Sequence, residues 1–87
     1  MLRSERFALD VVISTHARAR MADRQIDEAR LLDLIETGDI MRKEGGHVFI
    51  HKAYADRQDN LLCAAAVVEG VLVVKTVMVN WQIRGAR

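Results

Sequence analysis

Apolar and polar residues alternate with different periods along the chain, and the changes of period mark the predicted elements. The segment 7–13 is short and rich in β-branched side chains, which predicts a first strand. Apolar residues then recur at helical spacing up to Gly38, and the pattern is extended from Asp39 onward. This order predicts an α+β domain made of an N-terminal strand, a two-helix hairpin and then a twisted antiparallel sheet of four strands.

The helix starts are marked by capping residues. Ser14 precedes the first helix, which runs to about Arg24, and Asp27 precedes the second, because both side chains are good N-caps. Ile26 is placed to pack on the second helix as the outer half of a hydrophobic staple. We expect Gly38 to end that helix with a positive φ. The helix residues predicted to be buried are Met21, Leu31, Leu32 and Ile35.

Gly45 and Gly46 predict a two-residue turn that joins residues 40–44 to residues 47–54 in a hairpin. This register pairs Arg42 with Phe49 and Ile40 with His51. Side chains alternate along a strand, so the register divides the hairpin into two faces. One face carries Arg42, His47, Phe49 and His51, and the other, predicted to face the core, carries Met41, Val48 and Ile50.

Residues 61–68 and 71–79 are nearly continuous apolar runs, and Glu69–Gly70 between them predicts a second tight hairpin. Such runs aggregate when they are exposed at an edge, so we expect both strands to lie centrally in the sheet. Lys75 and Thr76 are then polar residues within a central strand, and their presence there needs an explanation.

Cys63, the single cysteine, is predicted to be a buried and inert thiol. The polar loop 55–60 is expected to be only a connection, and the basic end, residues 81–87, to prolong the strand or to be mobile.

Composition limits the class of protein. A chain of 87 residues with 51% apolar residues is expected to fold as a single domain, residues 1–87. Its formal net charge of +1 is not that of a strongly basic nucleic-acid-binding protein, although a local basic patch is compatible with it. With no signal peptide or membrane-spanning run in the sequence, we expect a cytoplasmic protein, or the effector tip of a larger secreted chain, with no membrane partner.

One helix face carries the candidate chemistry. His16, Arg20 and Arg24 recur every four residues and therefore share a face of the first helix. The capped helix start adds backbone N–H donors beside His16, which predicts an anion site. The three histidines have no cysteine or carboxylate at metal-ligand spacing, so we predict neither a metal nor a cofactor.

The sequence His16-Ala17 followed by Arg20-Met21, with Arg24 and Ile26, resembles a family of small bacterial domains of unknown function whose opening helix carries His-Ala-x-x-Arg-Met. Through it the chain resembles the RelE-like ribonuclease toxins, in the broad group that includes barnase, EndoU and colicin nuclease domains. The resemblance implies that His16, Arg20 and Thr76 are catalytic. It also implies RNA as the substrate and a protein antitoxin or immunity protein as a partner.

The leading hypothesis is a metal-independent, toxin-like endoribonuclease that cleaves single-stranded RNA by attack of the 2′-OH on the phosphate. Cleavage needs a proton acceptor, a proton donor and cations. An imidazole suits proton transfer near neutral pH, and an Arg fork suits two phosphate oxygens. The residues predicted to bind RNA are Arg24, Arg42, His51, Tyr54 and Lys75.

Each candidate also has a structural alternative. His16 could pack at the helix start, Arg20 and Arg24 could form surface ion pairs, and Lys75 could extend its stem over apolar surface. The alternative function is a non-catalytic protein-interaction domain of the same fold. The near-neutral charge favours it, because RNA binding draws on several phosphate contacts.

Overall fold

The computed structural model describes residues 2–59 and 61–81, which form a six-stranded sheet with two helices against one face. In chain order the elements are β1 (Arg3–Ser4), β2 (Leu9–Ile13), α1 (Thr15–Asp23), α2 (Glu28–Thr37), β3 (Asp39–Arg42), β4 (His47–Ala53), β5 (Leu61–Val68) and β6 (Leu72–Met78). The strand order across the sheet is β1-β2-β6-β5-β4-β3. The predicted α+β class and the central position of β5 and β6 are confirmed.

The sheet is mixed, so the predicted four-stranded antiparallel sheet is only partly right. β2 pairs in parallel with β6, with Val11 opposite Leu72 and Ile13 opposite Val74. After β2 the chain forms both helices and then the antiparallel strands β3, β4 and β5. The last strand, β6, lies between β5 and β2 and runs parallel to β2. The first strand is shorter than the predicted 7–13, and the two-residue β1 that precedes it is too short to give a periodic signal.

Both helices begin at the predicted caps. The Ser14 hydroxyl accepts a hydrogen bond from the Ala17 amide at 3.0 Å, and Asp27 accepts one from the Arg30 amide at 2.8 Å. α1 ends in a turn that the sequence did not reveal, because Gln25 takes a left-handed conformation with φ 58°. The amide of Ile26 then donates to the Met21 carbonyl at 2.9 Å, as in a Schellman motif.

The core lies between the helices and one face of the sheet. Of the predicted core residues, Met21, Leu31, Ile35, Val48 and Ile50 are buried. Leu32 is only half-buried, and Leu34 takes its place because residues 31, 34 and 35 share one face of α2. Cys63 is also buried, as predicted, and burial raises the pKa of its thiol to about 12.

Gly38 does not have the expected positive φ. Its φ is −73° and its ψ is 168°, which any residue can adopt. Glycine is required here by space, because a Cβ would lie 2.7 Å from the Leu34 carbonyl oxygen and 2.9 Å from that of His51. The end of α2 therefore presses directly on β4.

The β3–β4 register differs from the prediction by one residue. Residues Glu44–Gly46 form a short 3₁₀ turn, and the Lys43 amide donates to the His47 carbonyl at 2.8 Å. The longer loop pairs Arg42 with Val48 and Met41 with Phe49. Arg42 and Met41 have therefore exchanged faces, since a shift of one residue reverses every side chain of a strand.

As a result, Met41 is half-buried on the face away from the helices, and its predicted place in the core is wrong. His47, Phe49 and His51 still share that face because they alternate along β4. Neither helix among the described residues is long and apolar enough to cross a membrane. The expectation for the basic end beyond Trp81 lies outside the described residues.

Candidate functional site

The start of α1 is bonded directly to β6. The Ser14 amide donates to the Val74 carbonyl at 3.1 Å, and the Ser14 hydroxyl donates to the Lys75 carbonyl at 3.1 Å. The same hydroxyl accepts from Ala17 as the helix cap. These bonds hold the first turn of α1, which carries His16, against the part of β6 that carries Lys75. We call this place the α1–β6 junction.

A β-bulge explains why a lysine occurs in a central strand. Ala65 of β5 lies opposite Thr76 of β6, whereas the next residue, Ala66, lies opposite Val74. Lys75 is therefore the extra residue of the bulge, and its side chain is exposed although β6 is an inner strand. Bulges of this kind redirect a side chain, and this one directs a cation outward at the junction.

The junction residues are exposed and have few partners of their own. His16 and Lys75 are exposed, and neither side chain makes a hydrogen bond or an ion pair within residues 2–59 and 61–81. Arg20, one helical turn after His16, approaches Asp23 only at 3.9 Å, between side chains that are 45% and 64% exposed. An exposed ion pair of this kind contributes little to the stability of the fold. Thr76 is half-buried on the sheet face without helices.

Four of the predicted site residues thus lie close to the Ser14 contact along the backbone: His16 and Arg20 on α1, and Lys75 and Thr76 on β6, although the Thr76 side chain is on the sheet face away from the helices. The other four lie elsewhere. Arg24 caps the far end of α1, about 12 Å along the helix axis at 1.5 Å per residue. Arg42 lies on edge strand β3, three strands from β6 and so about 14 Å across the sheet.

Tyr54, another of the four, is held by α2. Its hydroxyl donates to Asp33 at 2.5 Å, and the Lys52 ammonium donates to the same carboxylate at 3.2 Å. The Arg30 guanidinium lies 4.4 Å from the centre of the Tyr54 ring. The bonds from Tyr54 and Lys52 lower the pKa of Asp33, while burial and the bond to Asp33 raise the pKa of Tyr54.

The loop after β4 does more than connect two strands, contrary to our expectation. Arg57 donates to the carbonyls of Arg24 at 2.8 Å and Gln25 at 3.1 Å, and it is paired with Asp59 at 2.8 Å. Asp59 raises the pKa of Arg57, and Arg57 lowers that of Asp59. The loop therefore satisfies the carbonyls at the end of α1, beside the left-handed Gln25.

Glu36 fixes the N-terminal segment to α2. Its carboxylate accepts hydrogen bonds from the Ser4 hydroxyl at 2.5 Å and from the amides of Glu5 and Arg6 at 2.9 and 3.1 Å. Burial acts to raise the pKa of Glu36, but these hydrogen bonds outweigh it and lower the pKa. The Arg6 guanidinium then donates to the Ile35 and Gly38 carbonyls at 3.0 and 2.6 Å.

His51, the last of the four, belongs to an aromatic group on the sheet face without helices. The Trp81 ring lies 5.1 Å from the His51 ring and 5.9 Å from the Phe49 ring, centre to centre. The Trp81 amide donates to the Leu61 carbonyl at 3.0 Å, which folds the chain back over β4. Trp81 therefore does not prolong β6. Sequence reasoning placed Phe49 and His51 on one face, but it did not join Trp81 to them, because Trp81 reaches that face only through the fold.

Some of the clefts among the described residues are lined mainly by residues of α1, α2, β2 and the loop after β4. His16, Lys75 and Thr76 are not among the residues that line these clefts. Within residues 2–59 and 61–81, no group of three or more His, Cys, Asp or Glu side chains is placed to hold a metal ion.

Fold and junction together define a small α+β domain with an exposed, partly basic surface at a helix start. The chain matches the family model described as Domain of unknown function (DUF4258) over residues 13–79. Because the match covers most of the chain, the protein belongs to this family. Neither the comparison with curated proteins nor that with solved structures found a match.

Proposed function

We propose that this domain is a metal-independent endoribonuclease that cleaves single-stranded RNA at the α1–β6 junction. The observation that carries the proposal is the exposure of His16 and Lys75, without partners in the described chain, at a place that Ser14 bonds firmly together. A proton-transfer group and a cation that serve no internal contact are free to act on a ligand. The resemblance to RelE-like ribonucleases is part of this proposal.

The reaction uses side chains alone. His16 accepts the proton of a ribose 2′-OH, the 2′-oxygen forms a bond to the adjacent phosphorus, and the bond from phosphorus to the 5′-oxygen breaks. Lys75 gives a proton to the leaving 5′-oxygen, and solvent later restores both groups. The products are a 2′,3′-cyclic phosphate and a 5′-hydroxyl.

The remaining junction residues stabilise charge on the phosphate. Arg20 presents a planar fork to two phosphate oxygens, and its distant contact with Asp23 is easily given up. The Thr76 hydroxyl donates to a further oxygen. Donors that are already in position when charge develops are an effective source of rate enhancement.

The alternative is a non-catalytic domain that binds a protein partner, such as an antitoxin or immunity protein. It is favoured by the number of cations already bound within the molecule, because each is unavailable to phosphate. These side chains are Arg3, Arg6, Arg18, Arg30, Lys52 and Arg57. In that case we expect a stable complex that is insensitive to salt and unaffected by His16→Ala.

The test is cleavage of single-stranded RNA with chelator present, with the product ends analysed. Wild type should leave 2′,3′-cyclic phosphate ends, and His16→Ala should be slower by roughly 10²- to 10⁴-fold, as for loss of a general base. Arg20→Lys should also be slower, because it keeps the charge and loses the fork. Arg18→Gln is the matched control, since Arg18 is on the same helix but is paired with Glu28 at 2.9 Å.

The ribonuclease proposal fails if wild type leaves RNA intact under all conditions, or if His16→Ala cuts as fast as wild type. A loss of activity in Arg18→Gln equal to that in Arg20→Lys would also contradict it. Such a result would mean that changing either arginine of α1 slows cleavage equally, and that Arg20 has no specific role.

A further inference from the structure

The sheet face without helices carries an aromatic patch, which we define as Phe49, His51 and Trp81. The chain has only four residues of the types Phe, Trp and Tyr, and two of them are in this patch. Among the described residues the exposed large apolar side chain is Val12 alone, at 44%. The patch is therefore a group of half-covered rings, and Met41 and Ala65 beside Phe49 on the same face are also half-buried.

The rings are held in a defined arrangement. Trp81 is anchored by its amide to the Leu61 carbonyl at 3.0 Å, and its ring is inclined by 30° to the ring of His51 and by 47° to that of Phe49. His51 is only 9% exposed, whereas Phe49 and Trp81 are half-buried. The accessible part of the patch thus consists of the two large aromatic rings.

A cation borders the patch. The Lys43 ammonium lies 6.0 Å from the centre of the Phe49 ring, and Lys43 forms no ion pair within residues 2–59 and 61–81. Asp39, opposite His51 on edge strand β3, is the carboxylate that faces the patch from the neighbouring strand. Aromatic rings beside an unpaired cation suit a ligand that has both flat apolar rings and negative charge.

The sheet register connects the patch with the junction. Phe49 lies opposite Ala65, and Ala65 lies opposite Thr76, so the three residues form one row across β4, β5 and β6. Two strand spacings of about 4.8 Å place Phe49 roughly 10 Å from Thr76. The residue between them in this row is Ala65, whose side chain is a methyl group.

We propose that the aromatic patch is a base-stacking subsite, on which a nucleobase of single-stranded RNA stacks while a neighbouring phosphate lies at the α1–β6 junction. The role of the junction in this statement rests on the proposed function; the stacking itself does not. Every base has a flat π-face, so stacking suits single strands of any sequence. Lys43 would then contact the backbone next to the stacked base.

Trp81 gives a direct readout, because it is the only tryptophan of the chain. We would titrate the full chain with a 2′-O-methyl RNA oligonucleotide, which cannot be cleaved through its 2′-oxygen. Its abasic counterpart has the same length and charge. The base-bearing strand should quench the Trp81 fluorescence and bind roughly 10- to 100-fold more tightly than the abasic strand.

Variants locate the effect on the patch. Phe49→Leu and Trp81→Leu should each weaken binding of a labelled oligonucleotide by roughly 10-fold or more, measured by fluorescence anisotropy. Phe7→Leu is the matched control, since Phe7, the other phenylalanine, packs against the helix-side core. Lys43→Gln should weaken binding more than Lys52→Gln, because Lys52 is bonded to Asp33 and Thr37. If Trp81→Leu does not fold by circular dichroism, Trp81→Phe keeps an aromatic ring and should retain binding.

The outcomes separate this inference from the proposed function. Equal binding of abasic and base-bearing strands, or unchanged binding by Phe49→Leu, overturns the stacking subsite even if wild type cuts RNA. Self-association in the absence of RNA that Trp81→Leu abolishes would assign the patch to a second copy of the chain, and would also overturn it. Conversely, cleavage of ordinary RNA by His16→Ala at the wild-type rate would remove the proposed function alone, because it leaves the comparison of base-bearing and abasic strands untouched.

Discussion

Charged side chains are used in opposite ways on α2 and at the α1–β6 junction. On α2 and the segment after β4, Arg30, Asp33, Glu36 and Arg57 are all engaged in hydrogen bonds to other parts of the chain. We call this region the α2 side. At the α1–β6 junction, by contrast, His16 and Lys75 have no partners among the described residues, and both are exposed.

The difference separates scaffold from candidate site. A bonded charge can serve a ligand only after its internal partner is left without a bond, which costs stability. An unbonded charge on the surface has no such cost. We therefore expect substitutions on the α2 side to change the free energy of unfolding, and substitutions at the junction to change the interaction with RNA.

The largest loss of stability is expected from the packing that supports the α2 side. Leu34 of α2 is fully buried against the sheet. Leu34→Ala should therefore lower the free energy of unfolding by about 2 to 5 kcal/mol, measured by chemical denaturation. Leu32→Ala, at the half-buried neighbouring position, is the control and should cost less. An equal loss for both would mean that α2 is anchored by both faces.

The next effect comes from Glu36, which joins α2 to the N-terminal segment. Glu36→Gln should cost about 2 kcal/mol at pH 7, because hydrogen bonds to a charged group are lost or weakened. The pKa of Glu36 is lowered from 4.5 in the folded state. Its contribution is therefore present above pH 4.5 and is lost as the pH falls through the lowered value.

The measurement is the difference in stability between wild type and Glu36→Gln as a function of pH. It should be constant near neutrality and should decrease in acid, where the wild-type carboxylate takes up a proton. A difference that grows as the pH falls would have the wrong sign. It would show that the protonated form of Glu36 is the one that the folded state prefers.

These contacts also mark the limit of sequence-based prediction for the fold. The caps at Ser14 and Asp27 were predictable because each binds an amide three residues away. The bond from Ser4 to Glu36 joins residues 32 apart, and that from Arg57 to Arg24 joins residues 33 apart. No local sequence pattern predicts contacts between residues so far apart in the chain. The predicted register of the β3–β4 hairpin was wrong by one residue, because the strands are joined by a longer loop with a 3₁₀ turn and not by a two-residue turn at the glycines.

The arrangement of the candidate site residues was predictable to a similar extent. Helical spacing placed His16 and Arg20 together, and the polar interruption of an apolar strand marked Lys75, but only the bulge explained its exposure. In the aromatic patch, the shared face of Phe49 and His51 was predictable but the position of Trp81 was not. Phe49 and His51 alternate along β4, whereas Trp81 reaches them through the chain that follows β6.

A smaller effect on stability is expected at Tyr54, and it tests the boundary between the two regions. Tyr54→Phe removes the hydroxyl that donates to Asp33, and should cost about 1 kcal/mol. Cleavage of RNA should not change, since the hydroxyl already has an internal partner. The sequence-based hypothesis of an RNA contact would instead be supported by slower cleavage at unchanged stability, which denaturation and cleavage assays on the same preparation would reveal.

The smallest change in stability should come from the junction itself. Arg20→Gln and Lys75→Gln remove exposed charges that support no strong internal contact, so the free energy of unfolding should stay within about 0.5 kcal/mol of wild type. Each should nevertheless weaken RNA binding and reduce its dependence on salt, by about one unit in the slope of log affinity against log salt.

Arg57→Gln makes the same change of charge on the α2 side and is the control. It should lower the free energy of unfolding and leave the salt dependence of RNA binding nearly unchanged. A loss above 1 kcal/mol for Lys75→Gln would mean that the bulge needs its lysine for folding. The contrast between an engaged and a free region would then no longer distinguish scaffold from site.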